Sequence, residues 1–134
     1  MRIGALAIRC FRPWPLDEVR AALGTARRVI VVEKAFAVGV GGIVGQNVRL
    51  ALDDQTVRVP VHDVIAGLGG RPITSASLGR LVGDVLDGRV GRLTFLDLDT
   101  AVVERELRRG AQPRSGPHAE NILRDVGIVA GGPT

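Results

Sequence analysis

Apolar residues recur along this chain in two rhythms, and the changes between them mark out its elements. The opening stretch "RIGALAIRCF" is rich in strand formers and short enough for one buried strand, in which Cys10 would be a buried, inert thiol. The prolines of "RPWP" end it, since proline cannot donate to a ladder. Pro15 is placed to open a helix, with Asp17 and Glu18 where carboxylates complement free backbone N–H groups. Leu16, Val19, Ala22 and Leu23 then recur at helical spacing, and Gly24 closes the element. Next, "RRVIVVEK" holds an unbroken run, Val29, Ile30, Val31 and Val32, the pattern of a strand covered on both faces.

Behind that strand comes a glycine-rich turn and then Ile43, Val44, Val48, Leu50, Ala51 and Leu52, enough for about three helical turns. "TVRVPVHDVIAGL" reads as a third strand region broken or edged by Pro60. After the turn-dense "GLGGRPIT", Thr74 or Ser75 can cap a helix whose stripe is Leu78, Leu81, Val82, Val85 and Leu86. "RVGRLTFLDL" is strand-like, its direction open, and Asp99 can cap a helix from Thr100 to about Arg109. The last segment is a polar linker, "GAQPRSGPHAE", followed by a short amphipathic helix from Pro117 to Gly127 that docks on the domain or on a partner. Strands alternating with helices imply an α/β fold, a three-layer α/β/α sandwich with a mainly parallel sheet, over residues 1–109, with residues 110–134 as linker and terminal helix.

Composition sharpens this picture. The chain has 134 residues, 46% of them hydrophobic and only 3% aromatic, so the core is built from Val, Leu, Ile and Ala. The net charge of +4 comes from cations spread through every segment, all arginine except Lys34. A nucleic-acid footprint needs clustered cations and stacking side chains; the cations here are dispersed and aromatic residues are few. One cysteine excludes an internal disulfide, and no apolar run reaches the length of a membrane helix, which points to a cytoplasmic protein. His62 and His118 have no metal-ligand spacing, Ser75, Ser77 and Ser115 fit capping or linker positions, and Glu33 with Lys34 reads as a surface ion pair.

The stretch "KAFAVGVGGIVGQNVRLAL" raises the sharpest functional question. Its glycines follow the second strand and not the first, with spacing G-x-G-x-x-x-G, and no Gly-Lys-Ser/Thr follows, so it is neither a dinucleotide fingerprint nor a P-loop. A helix start with bare N–H groups attracts anions in general, from Gly39 to Ile43 here. Alternatively, Gly41, Gly42 and Gly45 let a helix approach another backbone, with Gln46 and Asn47 bonding across the contact.

Three ordered segments, "GALAIRCFRPWPLDEVRAAL", "RRVIVVEKAFAVGVGGIVGQNVRLAL" and "VIAGLGGRPIT", resemble the alpha-chain region of the pyruvate:ferredoxin (2-oxoacid:acceptor) oxidoreductase family, in its transketolase C-terminal-like domain. The resemblance implies part of an enzyme that decarboxylates a 2-oxoacid on thiamine diphosphate and passes electrons through iron-sulfur clusters to ferredoxin or flavodoxin. It places none of that chemistry here: the thiamine-binding G-D-G motif and the cluster cysteines are missing from these residues, so thiamine diphosphate, magnesium and clusters are expected in partner chains or domains. What it implies for this chain is assembly, with catalytic and iron-sulfur subunits as partners and an oligomeric state. Arg12, Pro13, Gly41, Gly42, Gly69, Gly70 and Arg71 match the family's patterned positions, and with Gly39, Gln46 and Asn47 they are the expected turn and interface residues. A free-standing anion-binding regulator, or the matching domain of a transketolase or 2-oxoacid dehydrogenase beta chain, is the alternative.

Overall fold

The computed structural model describes residues 2–53 and 58–111. In chain order these form α1 (Leu16–Leu23), β1 (Val29–Glu33), α2 (Ile43–Leu52), β2 (Val61–Ile65), a 3-10 turn (Leu68–Gly70), α3 (Ser75–Leu86), β3 (Leu93–Phe95) and α4 (Thr100–Gly110). The linker after Ala111 with Ser115, and the helix expected from Pro117 with His118, lie outside the described residues.

The sheet is parallel throughout, in the order β1-β2-β3, with Val29 opposite Val61 and Asp63 opposite Leu93. This settles the direction of the last strand. Side chains alternate between faces of a strand. Val29 and Val31 therefore enter a core with Val19, Val48, Ala51 and Leu52 from α1 and α2, while Ile30 joins Val64 against Leu81 and Val85 of α3. Helices on both faces explain why β1 has no polar side until Glu33.

Local chemistry sets the helix ends. Thr74 Oγ1 accepts the N–H of Ser77 at 3.0 Å, capping α3. At the other end, Arg28 Nη1 donates to the carbonyls of Val85 and Leu86 at 3.1 Å each. Arg20 Nε does the same for Ala51 of α2 at 2.8 Å. Two of the dispersed arginines thus close helix ends, where a guanidinium meets the negative pole of the helix.

The compact unit ends at Leu98, and a second begins at Asp99. There Asp99 Oδ1 accepts the Val102 N–H at 3.1 Å, and α4 contains no buried residue.

The opening segment departs from expectation. Residues 2–11 form no strand, and Ile3, Leu6 and Phe11 are 69%, 48% and 40% exposed. Cys10 is exposed as well, its Sγ 3.4 Å from the Pro13 carbonyl oxygen. The physical reason is pairing: a strand exists only with a hydrogen-bonded neighbour, and among the described residues β1 is bonded only to β2. Side-chain packing holds the segment, with Ile8 and Trp14 resting against the α1–α2 core. Phe11 meets Trp14 edge to face with ring centres 6.2 Å apart, and the Arg12 guanidinium lies 4.1 Å above the Phe11 ring. The Arg12–Pro13 peptide is cis.

Candidate functional site

Two carboxylates on neighbouring strands organise the glycine-rich turn. Glu33 ends β1 and Asp63 lies within β2, two residues out of phase in the register and so on the same face of the sheet, beneath α2. Glu33 Oε2 accepts the N–H of Val44 at 3.0 Å and Oε1 that of Gly45 at 2.8 Å. The start of α2 is therefore neutralised from inside the protein by a side chain that is 8% exposed. Glu33 is no surface ion pair: its strand position points it into the helix start rather than outward beside Lys34.

Asp63 is 2% exposed, and its Oδ2 faces Arg49 Nη1 at 3.4 Å. Arg49 also reaches the Arg92 carbonyl at 3.3 Å. Asp63 Oδ1 is buried without a hydrogen bond. A Cβ on Gly42 would come within 3.0 Å of both Glu33 Oε1 and the two Asp63 oxygens, so the two carboxylates are neighbours, separated from the helix only by missing side chains. A Cβ on Gly45 would meet Asp63 Oδ1, Cγ and Oδ2 equally closely. The close approach inferred from these glycines is made to the chain's own acids.

The rest of the turn is closed on itself. Ala37 and Gly41 exchange N–H···O bonds of 2.9 and 2.8 Å, which needs the positive φ of Gly39 (78°) and Gly41 (98°). Gln46 Nε2 donates to the Val40 carbonyl and Asn47 Nδ2 to that of Ile43, both at 2.7 Å, so both amides are used locally. Val38, at the tip, is 89% exposed.

Gly69, Gly70 and Arg71 lie at the C-terminal ends of the strands, the side of a parallel sheet where groups converge. Gly70 and Arg71 share a shallow cleft of about 380 Å³ with Val32, Glu33, Lys34 and Ile73. A second, of about 840 Å³, continues past Arg71 to Thr74, Ser77 and Asp97. Arg12 and Pro13 line neither cleft. Asp97 is the hub of the second: Ser77 Oγ donates to its Oδ2, Arg80 Nη2 to its Oδ1 at 3.0 Å, and Arg71 Nη1 to its carbonyl. The hydrogen bond from Ser77, with help from Arg80, holds this carboxyl below its ordinary 3.8 against the opposing effect of burial.

A depressed folded value contributes stability that is full above 3.8 and is lost as pH falls through the lower, folded value. Urea midpoints of the wild type and Ser77→Ala should accordingly differ most at pH 7, with the gap narrowing as pH falls below 3.8. A gap that stays constant through that range would rule out Asp97 as the partner.

The donor set does not fit the cofactors that the sequence resemblance brings with it. A diphosphate at α2 would need the N–H groups that Glu33 occupies. A cluster needs several thiolates where the chain has Cys10 alone. Among the described residues no group of three His, Cys, Asp or Glu is placed to hold a metal. His62 Nδ1 instead lies 3.2 Å from the Gly91 carbonyl oxygen. No helix among the described residues is long and apolar enough to cross a membrane.

Glu33 and Asp63 were not expected in these roles from the sequence. The signal was available in the phase of the strands: two residues on from Val31, Glu33 falls on the face that the helix covers, and Gly42 and Gly45 are the small residues such a buried acid requires.

Comparison with known proteins agrees with the ordered segments. The family described as pyruvate:ferredoxin oxidoreductase core domain II matches residues 1–78. Pyruvate synthase subunit PorA of Methanothermobacter thermautotrophicus is 35% identical over 80 residues, 60% of this chain and 20% of that protein. PorA of Pyrococcus horikoshii is 35% identical over 77 residues, 58% of this chain and 20% of that protein. Ketoisovalerate oxidoreductase subunit VorA of the same organism is 30% identical over 84 residues, 63% of this chain and 21% of that protein. The chain thus spans about one fifth of the length of the curated relatives it matches.

Proposed function

The chain belongs to the pyruvate:ferredoxin oxidoreductase core domain II family, and from that premise we propose that it is a non-catalytic domain or small subunit of a thiamine-diphosphate-dependent 2-oxoacid:ferredoxin or flavodoxin oxidoreductase, with pyruvate as the 2-oxoacid. Its contribution is assembly. The thiamine diphosphate, magnesium and iron-sulfur clusters belong to the catalytic and iron-sulfur chains or domains that it packs against.

One observation carries this reading. The helix start that an anionic ligand would use is filled by Glu33, whereas no strand among the described residues pairs with the outer edge of β1. In the parallel ladder Val29, Val31 and Glu33 bond toward β2, so the N–H and C=O of Ile30 and Val32 point away from it. An apolar, unprotected edge of this kind pairs with other chains unless something covers it. Exposed Ile3, Leu6, Val38 and Val40 add apolar surface to be covered. The turns built by Arg12, Pro13, Gly39, Gly41, Gly42, Gly69, Gly70 and Arg71 give those surfaces their shape.

Co-expression with the thiamine-dependent catalytic chain, followed by size exclusion, tests the proposal. The two should co-elute, and the chain purified alone should not consume pyruvate. Separate elution, or turnover by the chain alone, overturns the reading.

A further inference from the structure

The cleft at the ends of β1 and β2 has a chemical bias of its own. Its walls are apolar, with Val32 41% and Ile73 47% exposed, and Ala66 forms part of its floor. Lys34, the chain's only lysine, stands on its rim with no ion pair or hydrogen bond among the described residues. Arg71 stands on the rim too, directed to the Asp97 carbonyl. Neither nearby acid is paired with Lys34: Glu33 accepts from the Val44 and Gly45 amides, and Asp97 from Ser77 and Arg80. An ammonium left unpaired beside exposed valine and isoleucine is complementary to a carboxylate carried on an apolar segment.

We infer that this cleft is a docking site for an acidic, apolar segment of the catalytic chain, with Lys34 pairing its carboxylate. The inference rests on the proposed function and adds the chemistry of the contact. A polypeptide suits the site better than a free small molecule, because the cleft is shallow and five of its eight lining residues are exposed, whereas small-ligand pockets enclose most of their ligand.

The test compares three forms of the full chain, each co-expressed with the catalytic chain: wild type, Lys34→Glu, and Arg27→Glu as a control. Arg27 precedes β1, at the opposite end of that strand. Affinity is then measured by surface plasmon resonance at low and high salt. Lys34→Glu should bind about tenfold or more weakly and lose part of the wild type's salt dependence, with Arg27→Glu unchanged. Equal binding by wild type and Lys34→Glu overturns the inference and leaves the assembly role standing, as does equal weakening by both substitutions. No binding by wild type removes the assembly role itself. Calorimetric titration of the chain alone with sodium acetate separates the remaining source: saturable binding lost in Lys34→Glu would make the site a receptor for a free carboxylate and would overturn the partner assignment.

Discussion

Gly45→Ala should destabilise the domain by about 2–4 kcal/mol, although alanine is the better helix former by up to about 1 kcal/mol. The sign follows from what the new methyl group meets. It would fall within 3.0 Å of three atoms of Asp63, a side chain 2% exposed and held by Arg49. Neither side can yield easily, since one is helix backbone and the other a carboxylate with no solvent to move into. Gly79 is the internal control: exposed in α3, with nothing within 4 Å of a Cβ, it should gain stability as alanine. Urea unfolding of both variants reads the contrast. Placing Gly45→Ala in an Asp63→Ala background should recover most of its cost, because the clash and its partner are removed together. If the two substitutions were additive, Asp63 would not be what requires the glycine.

Glu33→Gln should cost about 2–3 kcal/mol. The carboxylate accepts from two helix N–H groups, and glutamine keeps one oxygen while turning an amide N–H₂ toward the other donor. The helix pole adds to the loss of charge. One effect opposes it: Asp63 is a neighbouring buried carboxylate, so neutralising residue 33 relieves a like-charge contact. The buried hydrogen bonds outweigh that relief because each unmet donor retains its desolvation cost. Lys34→Ala, by comparison, should change stability by less than about 0.5 kcal/mol, as expected for an exposed side chain without a partner. Matching unfolding midpoints for Glu33→Gln and wild type would refute the capping role.

These two expectations locate the boundary of what the sequence made legible. Periodicity marked the helices and β1 because their apolar spacing is a direct record of burial, and Thr74 and Asp99 announced their helices because a cap is a local bond. The family was legible in three ordered segments, now matched over residues 1–78. Pairing was not legible. "RIGALAIRCF" has the composition of a strand, yet whether it becomes one depends on a neighbour that composition does not specify. The glycine turn was read as a place where another backbone could come close; within the chain, the groups that lie close to it are the side chains of Glu33 and Asp63. Asp63 lies eighteen residues downstream of Gly45, and only the parallel register brings it beneath the helix. The bonds that Gln46 and Asn47 make to Val40 and Ile43 were not foreseen for the opposite reason: partners so near in sequence leave no long-range pattern to read.

The all-parallel sheet also dictates an order of events during synthesis. Val29 must wait for Val61, and Asp63 for Leu93, since every strand pairs across a crossover and never across a hairpin. A nascent chain stalled before Leu93 would carry β1 and β2 without β3, leaving β2 unpaired on one side, and the second cleft, which Asp97 lines, cannot be completed until most of the domain has emerged.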